Sequence, residues 1–299
     1  MDYDQMQAAF FAPRAGTEPQ AGWDSPARRL RDAVEPLAAV SFWARPVYDR
    51  YAAHGLDFLT GYVWSRSSVL GAAEPGVVAA TFGVFEPGAV AGLLAAARQA
   101  CSLDDVRTAS EQGSAEALRE VVGDDDGLAR TTQALLDAVG RADVAGRPLF
   151  AGALGRPVPA DPYAALWHAA TLVRECRGDS HLGACVAAGL SGLEANLLTE
   201  LWVGYPALEY AATRAWSPEA MAAAQDALRA RGLLDGDGLS DTGRALRGRV
   251  EEATDTAMAP VVAALGDRLD DVVAQCTPWG EALVERGWFP PDAYKRAAG

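Results

Sequence analysis

Lysine is all but missing from this chain: of its 299 residues only Lys295 is one, and the other positive side chains are arginine. Arginine and alanine at lysine's expense reflect the codon usage of a GC-rich genome and carry no functional message by themselves. A surplus of positive charge is missing too. The formal net charge is -14, whereas a protein that neutralises many phosphates presents a basic surface, so extensive nucleic-acid contact is not expected. The four cysteines, Cys101, Cys176, Cys185 and Cys276, have no CxxC spacing, and Asp2 and Asp4 stand where an export signal is basic. Reduced thiols and a cytoplasmic protein are expected. The longest candidate for a membrane span, residues 76–97, is broken by Glu86-Pro87 and rich in glycine and alanine; it reads as two helices in a soluble core, with no membrane contact. Alternation of strand length is absent outside one short stretch near residues 233–240, which excludes a central sheet.

What remains is globular: 50% hydrophobic and 22% charged, enough for one large or two ordinary domains with proper cores. Residues 1–25 lack periodicity and read as a loose arm whose Phe10, Phe11 and Trp23 dock on the body. A helical half covers 26–122. It begins at the Ser25-Pro26 cap, continues through Leu30, Val34, Leu37 and Val40, is kinked or divided by Pro36 and Pro46, and has a stop at His54-Gly55. Within 61–71, Tyr62, Arg66 and Val69 share one side of a helix. Arg66 sits among apolar neighbours there and needs a carboxylate or an anionic ligand. Residues 123–127, glycine at both ends with three aspartates between, read as an acidic hinge dividing two halves. A second helical half covers 128–285 and a tail 286–299.

Chemistry concentrates in residues 161–198, with two of the three histidines and two of the four cysteines. The pattern predicts a short helix, a break at Gly178-Asp179 and a second helix. On the first, His168, Thr171 and Glu175 share a face. The second carries His181 in its first turn, Cys185 one turn later, and Val186, Leu190, Leu193 and Leu197 on a core face. Two readings compete. In one, Asp179 is a helix cap, His181 a corner residue, and Glu175 the partner of Arg66, Arg174 or Arg177. In the other, His168, Glu175 and His181, joined by His54, line a cavity as acid-base groups or as metal ligands of the type that suits iron or zinc.

Further on, Ser217-Pro218 opens a helix, Asp235-Gly236-Asp237-Gly238 a hairpin, and Ser240 another helix, the order of a winged helix-turn-helix. With Gly61-Tyr62, Ser65-Arg66, residues 78–82, the run 166–172, Arg174-Glu175, Arg177-Gly178-Asp179 and His181, this resembles the actinobacterial helix-turn-helix-fold family related to MarR regulators, which includes the SalK-type proteins of polyketide gene clusters. The family pattern has histidine where this chain has Cys176. The resemblance implies an all-α fold with a C-terminal winged helix-turn-helix, a small β-wing and a homodimer, to which Trp279, Trp288 and Phe289 would add buried surface. Residues 216–250 hold five acids and five arginines, a poor phosphate grip. The expected function is therefore small-molecule binding, extending to an enzyme of secondary metabolism. Arg66 would anchor an acidic ligand group, Arg174 and Asp179 would add polar contacts, Tyr62, Trp64, Phe82 and Trp167 would form apolar walls, and His168, Glu175 and His181 would supply the chemistry. A ligand-responsive, DNA-binding regulator is the alternative.

Overall fold

In the computed structural model, residues 2–11, 23–292 and 296 are described. Local capping chemistry decides most helix starts. The arm is not irregular over its first residues: α1 (Tyr3–Phe10) opens on a reciprocal Asp2/Gln5 capping box and buries Met6 completely. Phe10 and Phe11 dock on Trp43, as expected, and Trp23 lies against Trp202. Residues 12–22 of the arm lie outside the described residues. Proline at the first or second position, where its missing N–H is harmless, opens α2 (Pro26–Ala38), α4 (Arg45–Ala53), α6 (Pro75–Phe82) and α7 (Pro87–Ala100). Pro46 thus starts a helix, after the short α3 (Val40–Trp43), while Pro36 sits inside the end of α2. An Asp57/Thr60 capping box opens α5 (Phe58–Ser67), and Ser102 caps α8 (Leu103–Val122). The 123–127 turn leads to α9 (Leu128–Val139) and α10 (Pro148–Leu154).

The axis of the molecule is α11 (Pro162–Ala187), capped by Asp161 and packed against α2, α8, α9 and α10. The expected break at Gly178-Asp179 is not there. A glycine inside a helix costs only about 1 kcal/mol relative to alanine, and tertiary contacts on either side outweigh it. The Asp179 carboxylate accepts the Phe150 N–H at 3.0 Å, capping α10 rather than its own helix, and Ser180 Oγ bonds back to the Cys176 carbonyl at 2.6 Å. The turn comes later, at Gly189 (φ 69°), after which α12 (Gly192–Val203) departs at 104°. Val186 consequently faces solvent, 73% exposed, while Leu190, Leu193 and Leu197 are buried.

Next come α13 (Glu209–Ala212), α14 (Pro218–Ala230), the antiparallel pair β1 (Leu234–Asp235) and β2 (Gly238–Leu239), α15 (Asp241–Leu265) and α16 (Arg268–Glu285). The fold is mainly helical with one two-stranded sheet among the described residues. Its main core runs from Met6 to Phe289 and draws on residues either side of the 123–127 turn. A second cluster joins α12, α14 and the hairpin, with Leu193, Leu197, Met221, Leu228, Leu233 and Leu239. Trp279, Trp288 and Phe289, expected to meet a partner, are buried in the chain's own main core. All four cysteines are free and buried. No single helix among the described residues is long and apolar enough to cross a membrane.

Candidate functional site

Where α2, α5, α6, α11, α12 and α15 converge they enclose a cavity of about 180 Å³. Seven of its lining residues are arginines: Arg28 and Arg31 from α2, Arg66 from α5, Arg174 and Arg177 from α11, Arg214 beyond α13, and Arg247 from α15. They pair with four carboxylates. Asp32 takes Arg28 and Arg31, Glu35 takes Arg174, Glu175 takes Arg66 and Arg174, and Glu251 takes Arg177 and Arg247. Among the described residues the seven arginines outnumber these four carboxylates by three, with Asp255 also acting on Arg177, in a molecule whose total is -14.

The excess has a local signature. Arg31 Nη2, Arg177 Nε and Arg214 Nε are buried without a hydrogen-bond partner among the described residues, a costly condition for a cation's donors. Burial, with Arg31 and Arg28 opposing the pull of Glu251, draws Arg177 down to about 10. A guanidinium stays protonated at neutral pH, so this depression reports chiefly how deeply the Arg177 cation is buried, with Arg31 and Arg28 adding to it. Arg214 makes no ion pair among the described residues: it donates to the Tyr210 hydroxyl at 2.6 Å and Thr213 Oγ1 at 2.7 Å, and lies over the Tyr210 and Phe85 rings.

A second cavity of about 130 Å³ adjoins the first, sharing Arg31, Glu35, Tyr62, Phe85, Arg174, Tyr210 and Arg214, and its far wall is aromatic, with Phe10, Phe42, Trp43 and Phe58. The two together form an apolar vestibule on an arginine chamber.

The residues expected from the sequence divide among several places. Arg66, Tyr62, Phe82, Arg174 and His181 line the chamber. Arg66 is already matched, its Nε and Nη2 donating to both Glu175 oxygens at 3.1 and 3.0 Å while the guanidinium lies over Phe82. Glu175 also accepts from Arg174 at 2.6 Å, and these arginines overcome burial to hold its carboxyl at about 2. The shared face of His168, Thr171 and Glu175 does border a cavity, of about 50 Å³, with Trp167 and Arg156, but it is separate from the chamber. There burial, reinforced by Arg156, pushes His168 down to about 4. Thirteen residues of helix put His168 roughly 20 Å from His181, so the expected metal set is not brought together. Trp64 donates to the Cys101 carbonyl and lies under Arg98 instead of walling the chamber. Asp179 is occupied by α10, and burial raises its carboxyl to about 6.

His181 is neutral, held at about 3 by burial and then by Arg247. Thr254 Oγ1 gives its hydrogen to the Val250 carbonyl, so at 3.1 Å it accepts from His181 Nδ1–H; this assigns the tautomer and leaves Nε2 facing Cys185 Sγ at 3.7 Å. Burial lifts the Cys185 thiol to about 11, so the pair is a neutral thiol beside a neutral imidazole, not an activated nucleophile.

Sequence reasoning missed Arg28, Arg31, Arg177, Arg214 and Arg247 as one set. The available signal was arginine embedded in apolar helix faces, such as Arg31 between Ala27, Leu30 and Val34, all buried. It also missed Glu200, fully buried and accepting from the Leu208, Tyr210 and Ala211 amides, which fixes the segment carrying Tyr210 and Arg214.

Comparison with curated proteins and with solved structures gives no match. Comparison with protein families matches residues 27–290 to a helix-turn-helix family. That span takes in the chamber, α11 and the helix–hairpin–helix segment, and the chain belongs to this helix-turn-helix family.

Proposed function

We propose that the chain is a small-molecule binding protein built on a winged helix-turn-helix scaffold of MarR-like kind, and that its ligand is an aromatic compound bearing an acidic group. The observation that carries this reading is the arginine chamber, where among the described residues seven arginines stand against four carboxylates and buried guanidinium N–H groups lack partners. The adjoining aromatic vestibule accounts for the apolar body. His181 and Arg174 supply polar contacts on the wall. Catalysis by His168, Glu175 and His181 acting together draws no support from their separation, and Arg66 serves Glu175 before any ligand.

Isothermal titration with phenyl phosphate, benzoate and uncharged benzamide tests this. The anions are expected to bind and benzamide not. Arg214→Met should weaken the anions about 10- to 100-fold, the equivalent of one or two charge-assisted hydrogen bonds, while the fold is kept, because no carboxylate among the described residues is left unpaired. Equal affinity for all three compounds, or an unchanged affinity in the variant, overturns the reading.

The second reading, a DNA-binding regulator, is favoured by the family and by the order helix, hairpin, helix. Against it, the exposed face of α14 presents Ala222, Ala223, Ala227 and Ala230, and Arg229, Arg231 and Arg244 are paired with Asp226, Glu194 and Asp241. Duplex DNA binding at low salt that falls steeply with added salt would establish it in place of ours. The homodimer belongs to the MarR-like reading, and light scattering at micromolar concentration tests it.

A further inference from the structure

Away from the chamber, His54, Cys101 and Asp105 bring one nitrogen, one sulfur and one carboxylate oxygen within 4.8 Å of one another. The three come from different elements: His54 closes α4, Cys101 lies between α7 and α8, and Asp105 is in the first turn of α8. Each is held from behind. Gly55 (φ 76°) turns the chain beside the end of α7, where an added Cβ would stand 3.8 Å from that of Ala100. The Cys101 carbonyl accepts from Trp64 Nε1 at 3.0 Å, and its N–H bonds to the Ala97 carbonyl at 3.0 Å. Asp105 is steadied by Ser102, whose Oγ donates to Oδ2 at 2.6 Å and accepts from the Asp105 amide at 3.1 Å.

The atoms facing one another have little else to do. The Cys101 thiol makes one long contact, 3.5 Å to the Ser102 carbonyl. Among the described residues, Oδ1 of Asp105 and the His54 imidazole make no side-chain hydrogen bond. A buried cysteine acting as a small hydrophobe would explain Cys101 alone. It would not explain an imidazole and a carboxylate converging on its sulfur.

We propose that His54, Cys101 and Asp105 form a binding site for a zinc-type divalent ion, with three protein ligands and a fourth tetrahedral position open to solvent. A thiolate and an imidazole favour zinc or cobalt(II) over magnesium or calcium, and three protein ligands with one open position is a recurrent zinc arrangement. The Trp64 and Ser102 bonds are the supporting contacts that such ligands need to keep their orientation. When the metal–sulfur bond forms, the Cys101 proton passes to solvent, the neutral imidazole donates a lone pair, and no electron changes hands.

The test is a cobalt(II) titration of the full chain, prepared metal-free and with thiols reduced. One equivalent should bind with a near-ultraviolet sulfur-to-cobalt band and the visible bands of four-coordinate cobalt, and zinc should displace it one for one. Cys101→Ser should lose the sulfur band, and Asp105→Asn and His54→Ala should weaken binding. Cys185→Ser, removing the other thiol beside an imidazole, should leave the spectrum unchanged. Absence of the sulfur band in the folded protein, its persistence in Cys101→Ser, or its loss in Cys185→Ser overturns the proposal. If Cys101→Ser fails to fold, His54→Ala decides: it alters a group at a helix end, and unchanged affinity there refutes the site.

Discussion

Replacing Glu175 with glutamine keeps the volume and removes one charge from the middle of the Arg66–Glu175–Arg174 group. The carboxyl is 4% exposed and receives three charge-assisted bonds. A carboxyl held at about 2 instead of its ordinary 4.5 contributes roughly 3 kcal/mol at neutral pH, since each pH unit of displacement corresponds to about 1.4 kcal/mol. Breaking a buried pair from one side generally costs about 3–5 kcal/mol, because the partner is left charged and desolvated. The two routes agree, so Glu175→Gln should lose about 3 kcal/mol or more in urea unfolding at pH 7. The sign with pH follows from the depressed value. The contribution is present in full above 4.5 and disappears as pH falls toward 2, so the gap between wild type and variant should close over that interval. Arg66→Met combined with Glu175→Leu should recover much of the loss, since well-packed apolar groups often replace a buried pair at little cost. A loss below about 1 kcal/mol at pH 7, or a gap that does not narrow in acid, would refute the argument and return Glu175 to the expectation that it serves a ligand rather than the fold.

Two further outcomes follow from buried groups. His181 is held at about 3 and His168 at about 4, below their ordinary 6.5, so in acid the unfolded chain binds protons that the folded chain refuses. Their contribution is intact above 6.5 and falls with pH, by up to about 1.4 kcal/mol per pH unit for each histidine. His181→Asn keeps a donor for Thr254 and should flatten the stability profile between pH 6 and 4; an unchanged slope contradicts it. Asp179 and Glu200, both raised to about 6 by burial, act in the opposite direction below that value. Glu200→Ala strands the Leu208, Tyr210 and Ala211 amides and should cost about 1–3 kcal/mol, with faster hydrogen exchange at those three positions; exchange at the wild-type rate would show that α13 does not depend on this carboxylate.

What the sequence revealed was local. Proline at a first position with serine before it marks helix starts at Pro26 and Pro218, and Asp-Gly-Asp-Gly marks the hairpin, because those residues act through their own backbone neighbours. Arg66 was legible as a cation needing a carboxylate, and Glu175 was among its expected partners. What the sequence hid was set by contacts between distant segments. Gly178-Asp179 has the composition of a helix break, yet the Asp179 carboxylate reaches Phe150, 29 residues away, and the helix continues. His168 and His181 look like neighbours along the sequence, but helical rise carries them into different cavities. The chamber was hidden most thoroughly, since its arginines extend from Arg28 to Arg247 and no short window contains more than two or three.

On the proposed reading, the distribution of charge accounts for how an acidic chain would suit an anionic ligand. With the seven chamber arginines and their four carboxylates set apart at +3, the other 19 cations and 36 acids sum to -17, most of the described ones at the surface. At physiological ionic strength the outer field is screened within about 8 Å, whereas charges at a buried wall are screened far less. On that reading a polyanion such as nucleic acid, too large to enter, would meet the surface acids and not the chamber. A small molecule with an acidic end and an aromatic body can be held by the vestibule after crossing a short repulsive layer, and only then meets the arginines. Salt weakens the repulsion at the surface more than the attraction inside, so added salt should favour this ligand's entry while opposing any phosphate contact on α14. The same charge arrangement therefore supports the chamber as the binding site and argues against the helix-turn-helix face.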